Sequence, residues 1–328
     1  MIKRNLIIIH RGPEYERDFD ELAAKINALD RDITVYHLPA TLKVELPIAA
    51  WQHPTLTVSL SSKFRLPIRR GPVLKNYQVE KLAQQEVFRK NGISTPPALA
   101  FRFGMRLDPI VFGEYVVLKP SDLRLTSTGR GIHLLRRCQA EGLTLDDFPA
   151  DHLIRLNQRH YIVQKFIDTG EHVSDSRVAT FFGQVLYANT ATARNRMPAL
   201  PETAPNLLAN TISGLVQESD WTWQPEMDML ELAKKVHAAF PNVPLLGTDI
   251  LREARTGKLY VLECNPGGNT WHFSSTFGRS VWQVKMGRSF GASEKDAEAV
   301  GRKLLLDQFN AFNLVAEALA EKTQELAA

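Results

Sequence analysis

Short apolar runs and helix-spaced apolar positions alternate over the first quarter of the chain. Runs of strand length occur at residues 6–10, 33–37 and 56–60. Between the first two runs, residues 14–29 place Phe19, Leu22 and Ile26 at helical spacing. Strands that alternate with helices favour an open, mostly parallel sheet, so an α/β domain is predicted here.

The remainder of the chain has more strands and fewer helices. Strands are predicted at residues 115–120, 132–135, 161–167, 176–182, 184–191, 247–251 and 259–266. Helices are predicted at about 76–90, at 224–240 and as one long segment over 294–326. This pattern divides the chain into three domains: an N-terminal α/β domain at 1–95, a central subdomain at 96–168 and a C-terminal subdomain at 169–328. The predicted fold class is therefore α/β followed by α+β.

Composition describes an ordinary globular protein. The 328 residues are 44% hydrophobic and 23% charged, with a formal net charge of +4. Cys138 and Cys264 are too few for a disulfide framework, so a reducing cytoplasm is expected. The apolar run near the start is shorter than a signal-peptide core, and no run reaches transmembrane length. A small anionic ligand suits the mild positive charge, and neither nucleic acid nor a membrane is expected as a partner.

Two predicted strands near the C-terminus bring acidic and amide side chains together. Because side chains alternate along a strand, Glu263 and Asn265 point one way and Cys264 points the other, into the core. Asp249, on the preceding strand, can join the first two. Carboxylate and amide oxygens form a site for a hard cation such as Mg²⁺. The alternative is a hairpin whose acidic groups face water.

Three further features are consistent with a bound phosphate compound, although each has an ordinary alternative. Lys119 ends a buried strand, where an anion would neutralise it, but its long stem can also reach solvent. The polar loop at 121–131 can close over phosphates or be a simple connection. The strand at 164–167 can bind a base at its edge, with Glu171 on a sugar, or merely join two domains.

The order of these motifs resembles the ATP-grasp superfamily over residues 76–269. The motifs are Leu118-Lys119-Pro120, the polar loop, Gln164-Lys165-Phe166-Ile167 with Glu171, Gly247-Thr248-Asp249 and Leu262-Glu263-Cys264-Asn265-Pro266. The resemblance implies an ATP-grasp fold preceded by an open α/β domain. It also implies an ATP- and Mg²⁺-dependent enzyme, with Mn²⁺ as a possible substitute. Such an enzyme joins a carboxylate to an amine or thiol through an acyl phosphate and releases ADP.

The resemblance assigns roles by position. ATP would be bound by Lys119 at the α-phosphate, by Thr126, Ser127, Thr128, Gly129 and Gly131 of the loop, by Gln164, Lys165, Phe166 and Ile167 around adenine, and by Glu171 at the ribose. Asp249, Glu263 and Asn265 would hold the metal. Arg177 and Arg194 would face the transferred phosphate as catalytic residues, with Arg196 as a further candidate.

Two other functions are compatible with the same motifs. One is an ATP-grasp kinase that phosphorylates a small molecule, and the other is a nucleotide-binding regulatory protein without turnover. The substrates are expected to be small molecules or peptides, and the C-terminal helix allows a homodimer. After the metal motif, Trp271 and His272 could touch the acceptor, or His272 could be a packing or capping residue. The basic connector at 63–75 is a loop with a possible phosphate role.

Overall fold

The computed structural model describes residues 2–40, 48, 52–61, 71–121, 131–157, 160–196, 219–267 and 270–327. The predicted loop residues Thr126, Ser127, Thr128 and Gly129 lie outside these residues, as does most of the basic connector. No helix within the described ranges has the length and apolarity needed to cross a membrane.

A parallel sheet forms the N-terminal part, as predicted, but it has four strands where three were predicted, because residues 73–75 at the end of the basic connector form a strand. Its strands are β1 (Arg4–His10), β2 (Ile33–Pro39), β3 (Thr55–Ser59) and β4 (Val73–Lys75), in the order β2-β1-β3-β4. Helix α1 (Glu16–Leu29) buries the apolar stripe read from the sequence against this sheet. A 3₁₀ turn at Pro13–Tyr15 precedes it.

Helix α2 (Lys81–Lys90) begins later than the predicted residue 76. Asn76 is buried and donates to the carbonyl of Leu60 at 3.2 Å, while its side-chain oxygen accepts from the N–H of Leu245 at 3.3 Å. These bonds hold the preceding backbone in an extended course between the parallel sheet and the C-terminal part. The helix therefore starts only after this connection is complete.

The central residues form an antiparallel sheet, which we call the lid sheet. It contains β5 (Ala98–Ala100), β6 (Tyr115–Pro120), β7 (His133–Arg136) and β8 (Tyr161–Lys165), in the order β5-β8-β6-β7. Short helices α3 (Pro109–Phe112), α4 (Arg137–Gly142) and α5 (Leu153–Asn157) and a 3₁₀ turn at Leu145–Asp147 cover one face. Val116, Leu118 and Val163 belong to a hydrophobic core whose described members all lie between residues 101 and 163.

A five-stranded antiparallel sheet, the floor sheet, follows. Its strands are β9 (His172–Phe181), β10 (Gln184–Arg196), β11 (Ser219–Thr222), β12 (Leu245–Arg252) and β13 (Leu259–Pro266), in the order β11-β10-β9-β12-β13. Phe182 and Gly183 have φ values of 45° and 86°, the left-handed backbone that a tight hairpin turn requires. Helix α6 (Met227–Ala238) packs on one face of the sheet, within the span predicted to be helical.

The C-terminal segment forms two main helices where one long helix was predicted. After a π-helix at Gly278–Gln283 come α7 (Val284–Ser289), α8 (Ala297–Asp307) and α9 (Ala311–Leu326). Asn310 has φ 55°, and this left-handed residue ends the run of α8. Just before it, the Gln308 side chain bonds both backbone groups of Ala188, so the chain is tied to the floor sheet and turns there.

The N-terminal and C-terminal parts share one hydrophobic core. It contains Leu6 and Phe19 from the first sheet and helix, Trp271 from the segment after β13, and Phe312 from α9. The predicted domain limits at residues 95 and 168 stay a prediction. Among the described residues, the core of the central part contains no residue of the other two parts, and the C-terminal part has a further cluster of its own beneath α6. The mixture of a parallel sheet with two antiparallel sheets confirms the predicted α/β and α+β fold class.

Candidate active site

A row of polar side chains crosses four adjacent strands of the floor sheet. Asn189 on β10 lies opposite Arg177 on β9, Arg177 lies opposite Asp249 on β12, and Asp249 lies opposite Glu263 on β13. Directly opposed residues in an antiparallel sheet point to the same face. The row therefore lies on one face, and helix α6 packs on the other.

Arg177 and Asp249, in the middle of the row, form a bidentate ion pair. Arg177 Nε and Nη2 donate to Asp249 Oδ1 and Oδ2 at 2.6 and 2.8 Å. Paired N–H donors on one carboxylate fix the guanidinium plane as well as its position. Asn265 Nδ2 also donates to Asp249 Oδ2, at 2.8 Å, so the predicted alternation along β13 brings the amide to the carboxylate. Asn265 lies opposite Gly247, which has no side chain to separate it from Asp249.

Two lysines approach the end of the row. Lys81 Nζ lies 2.6 Å from Glu263 Oε2. Burial alone would raise the pKa of Glu263, but the ammonium groups of Lys81 and Lys119 outweigh it and lower the pKa to about 2. Burial, with the repulsion of Lys81 next in size, lowers the pKa of Lys119 to about 7, against the attraction of Glu263 and Asp249.

Lys119 lies on the face of the lid sheet that carries no lid core. Its register partner is Ile162, and Gln164 shares that face two residues further along β8. The adjacent residues Leu118 and Val163 point into the lid core instead. Asp249 and Glu263 are near enough to Lys119 to raise its pKa against burial, which agrees with this face lying toward the row on the floor sheet. We call the space between the two sheets the cleft.

The predicted adenine-binding segment lies at the junction between the two sheets. Gln164 is buried, and its Nε2 donates to the carbonyl of Pro96 at 3.4 Å. The N–H of Phe166 donates to the backbone carbonyl of Tyr115 at 3.2 Å. The N–H of buried Ile167 has no hydrogen-bond partner among the described residues. Strand β8 ends at Lys165, before the predicted residue 167.

No described contact links Lys165 or Glu171 to the polar row or to Lys119. Lys165 lies opposite Val116, so its side chain leaves from the core face of the lid sheet, away from Lys119. Glu171 is exposed and pairs with Arg196 at 2.8 Å. Gly131, the described glycine of the predicted phosphate loop, has φ 72°, and a Cβ there would lie 2.3 Å from the hydroxyl of Tyr161.

Arg194 is not brought to the polar row by any described contact. It follows Thr192, where the pairing of β10 with β9 becomes irregular, and its side chain is 64% exposed. Its Nε donates to Asp220 Oδ1 at 2.8 Å. The catalytic role predicted for Arg194 stays a prediction, whereas Arg177 lies within the row.

Sequence reasoning missed Lys81. A lysine in a helix normally lies on a solvated face, so its spacing gave no signal. Here Gln84, on the next turn, bonds both the N–H and the C=O of Cys264 at 2.9 Å each. These two hydrogen bonds fix α2 to the outer edge of β13 and bring Lys81 to Glu263. Asn189 was also missed, although a polar residue within the apolar run of β10 is a recognisable signal.

The residues around the predicted metal ligands fit a magnesium ion. The donors are two carboxylates and one amide, and no group of three or more His, Cys, Asp or Glu side chains able to hold a metal occurs among the described residues. Mg²⁺ is commonly held by one or two carboxylates and completes its shell with water and substrate phosphates. The Asn265 amide donates through Nδ2, so its oxygen remains for the ion. Asp249 and Glu263 keep the second lone pairs of their oxygens.

The residues that follow β13 have packing roles. Trp271 is fully buried and donates from Nε1 to Asp18 at 2.8 Å. His272 is buried between Tyr187, whose ring is stacked at 5.3 Å, and Trp282, at 4.1 Å. The structure therefore favours packing for His272 over contact with an acceptor. Cys264 lies in a hydrophobic cluster as predicted, and burial raises the pKa of its thiol.

Comparison with known proteins finds similarity only at the level of solved structures. No protein-family model and no curated protein matches the chain. A D-cycloserine synthetase is similar with 15% identity, over 92% of this chain and 99% of that chain, at a TM-score of 0.48. A D-alanine–D-alanine ligase from Bacillus anthracis is 13% identical over 98% and 100%, at 0.46. The ATP-grasp ligase PsnB is 14% identical over 92% and 98%, at 0.44. TM-scores below 0.5 describe a loose overall similarity, and they transfer no residue role to this chain.

Proposed function

We propose that the chain is an ATP-grasp enzyme that uses ATP and Mg²⁺ to join a carboxylate to an amine or thiol. ATP would lie in the cleft between the lid sheet and the floor sheet. Its γ-phosphate would be transferred to the carboxylate, and the amine or thiol would then displace phosphate from the acyl phosphate. ADP and phosphate would be the by-products.

The observation that carries this proposal is the environment of Lys119. The residue is 5% exposed, and its ammonium has no ion pair or hydrogen bond among the described residues. A second ammonium, that of Lys81, repels it. A buried cation in such a place is costly unless an anion neutralises it. A phosphate group bound in the cleft would supply that negative charge to both lysines.

The geometry of the row suits phosphoryl transfer. This reaction needs alignment and charge neutralisation more than it needs an acid or a base. Lys119 and Lys81 would neutralise the phosphates, and Arg177, held in one plane by Asp249, would offer its remaining N–H groups to the transferred phosphoryl oxygens. A metal bound by Asp249, Glu263 and Asn265 would supply further electrostatic stabilisation of the phosphates.

The junction after β8 suits a purine base. The N–H of buried Ile167 has no hydrogen-bond partner in the part of the chain that the structure describes, and an adenine ring nitrogen would be a matching acceptor. Glu171 follows in the chain and is exposed, so it could accept from ribose hydroxyls after exchanging its bond with Arg196. Base and sugar would thus be held by the segment after β8 and the phosphates by the lysines.

The test is an ADP-release screen over carboxylic acids and amines with Mg²⁺, repeated with hydroxylamine as the acceptor. Hydroxamate formation reports an acyl phosphate, and its absence beside ADP release would instead indicate a kinase. Lys119→Met should reduce ADP release by at least about 100-fold, because one charge-neutralising group is lost. Lys234→Met is the control, since the contact described for Lys234 is an exposed pair with Glu231. Unchanged ADP release by Lys119→Met would overturn the proposal, as would a wild-type protein that binds ATP without any turnover.

A further inference from the structure

A small residue lies between two large ones beside the polar row. Ala191 on β10 has Asp175 opposite it on β9 and Trp221 opposite it on β11. Neighbouring strands are about 4.8 Å apart, so the carboxylate and the indole leave the sheet about 10 Å from each other, with only a methyl group between them. Asp175 is two residues from Arg177 and Ala191 is two residues from Asn189, so both lie on the face of the polar row. Trp221 lies opposite Ala191 and therefore shares that face. Ala191 is itself buried, and we call the place above its methyl group, between the Asp175 and Trp221 side chains, the Ala191 pocket.

Two hydrogen-bond acceptors at the Ala191 pocket have no partner among the described residues. Asn189 is 4% exposed, and its Oδ1 is buried without a hydrogen bond. The half-buried carboxylate of Asp175 has no hydrogen bond or ion pair within the described part of the chain. A buried acceptor left without a donor is unfavourable, because it has lost its hydrogen bonds to water. Both groups therefore call for a ligand that donates hydrogen bonds.

No described cation forms an ion pair with the Asp175 carboxylate. Arg177, its neighbour on the same face, is held by Asp249. Ala191 and Trp221, which face it from β10 and β11, are uncharged, and the Lys285 ammonium lies 4.7 Å from the Trp221 ring. Burial and then repulsion by Asp249 raise the pKa of Asp175 to about 6, against the attraction of Arg177.

We propose that the Ala191 pocket binds the primary ammonium group of the acceptor substrate and that Asp175 accepts a proton from it. Asp175 and Asn189 would accept two N–H bonds from the ammonium, and Trp221 would form the apolar wall beside its carbon. The pocket adjoins Arg177, so the nitrogen would lie next to the acyl phosphate. This inference rests on the proposed ligase function and assigns an amine, rather than a thiol, as the nucleophile.

The step balances without a further reactant. One ammonium proton moves to the Asp175 carboxylate, and the freed electron pair of nitrogen forms the C–N bond with the acyl carbon. The C–O bond to phosphate breaks, and its electron pair leaves with the phosphate. A second nitrogen proton goes to that phosphate, which departs as hydrogen phosphate. Asp175 then releases its proton to solvent.

The first test compares two acceptors in Asp175→Asn, using the carboxylate that gives most hydroxamate in the wild type. Hydroxylamine is largely unprotonated at neutral pH and needs no base, whereas an amino acid is protonated and does. From a panel of the twenty amino acids, the acceptor that supports most wild-type amide formation is used. Asp175→Asn should lower kcat with that acceptor by about 100-fold or more and change hydroxamate formation less than about threefold. Equal losses with both acceptors, or no loss with either, would overturn the inference.

Two further variants separate binding from proton transfer. Asn189→Leu should raise KM for the amino acid more than it lowers kcat, because it removes one acceptor and leaves Asp175 in place. In the wild type, kcat/KM for the amino acid should fall as the pH drops below about 6. Asp175→Asn should lack this acidic limb, and an identical pH profile would contradict the role. Glu231→Gln, on the far surface of α6, is the control expected to match the wild type.

A binding measurement keeps the inference separate from the proposed function. Ethylammonium chloride is titrated into the full chain while tryptophan fluorescence is recorded, with sodium chloride at equal ionic strength as the reference. A saturable change that disappears in Trp221→Phe and in Asp175→Asn is expected. No saturable change in the wild type would overturn the pocket even if ligase activity is found. A change together with no ADP release in any screen would instead overturn the ligase proposal.

Discussion

Lys81 and Glu263 form a buried ion pair, with Nζ 2.6 Å from Oε2, between the first turn of a helix and the last strand of the floor sheet. We expect Glu263→Gln to lower the free energy of unfolding by roughly 3 kcal/mol, because it leaves Lys81 and Lys119 side by side without the carboxylate. Lys81→Met should cost less, since Lys119 still faces Glu263.

Urea unfolding of both single variants and the double variant, without nucleotide, measures the coupling between the two residues. The double variant should lose about 1–3 kcal/mol less than the sum of the single losses, as expected for groups in direct contact. Strict additivity would show that the ion pair does not form in solution.

Nucleotide affinity should weaken with rising pH through Lys119. The ammonium is the form that binds phosphate, and its pKa in the free protein is about 7 because of burial and then of Lys81. A bound phosphate raises that pKa, so binding above pH 7 requires proton uptake. The dissociation constant of Mg²⁺–ADP should therefore rise by up to about tenfold per unit between pH 7.5 and 9.5. Lys119→Arg, which stays charged, should flatten the dependence measured by titration calorimetry.

Acid should destabilise the fold through His237. Its Nε2 donates to the carbonyl of Val243 at 2.9 Å, and its Nδ1 accepts from the hydroxyl of Thr180 at 2.7 Å. Burial lowers the pKa of this imidazole from 6.5 to about 4, although the bond to Val243 opposes the shift. The unfolded state therefore takes up the proton first, and stability is complete above pH 6.5 and is lost as the pH falls toward 4.

The contribution of His237 to this loss should be roughly 3 kcal/mol at most. His237→Gln has no titrating group, so its unfolding free energy should fall less steeply between pH 6.5 and pH 4 than that of the wild type. Chemical denaturation at several pH values measures both slopes. Equal slopes would rule out a buried neutral imidazole at this position.

Gln84 should matter for both stability and nucleotide binding. Its amide satisfies the N–H and the C=O of Cys264, so Gln84→Ala leaves two buried backbone groups without partners. A loss of about 1–3 kcal/mol is expected, with weaker Mg²⁺–ADP binding because α2 no longer holds Lys81 in place. Gln85→Ala is a matched control in the same helix, since Gln85 makes one bond, to Pro96 at 3.1 Å. Similar effects of the two substitutions would mean that the bonds to Cys264 have no special role.

The sequence predicted several strands and turns better than it predicted where the helices begin and end. The span of β13 and the turn at Gly183 are as expected, because period-two alternation and a left-handed glycine are local signals. The predicted start of α2 and the predicted continuous C-terminal helix were wrong, because distant hydrogen-bond partners decide where these helices begin and end. Asn76 is bonded to Leu245, and Gln308 is bonded to Ala188.

The candidate site shows the same division. Asp249, Glu263 and Asn265 were placed together from alternation alone, and the bond from Asn265 to Asp249 agrees with that placement. Lys81 could not be found in this way, because its partner lies on a strand far along the chain. The side that Lys165 takes on the lid sheet was equally inaccessible, since it depends on the register of β8 against β6.

The separate core of the lid sheet has a thermodynamic consequence. We expect the N-terminal and C-terminal parts to melt as one body, because they share a core with Leu6, Trp271 and Phe312, whereas Val116 and Leu118 belong to the separate core of the lid sheet. Calorimetry of the free protein should therefore show two heat-absorption peaks. A nucleotide held between the two bodies would bind only when both are folded, and at saturation it should draw the peaks together into one.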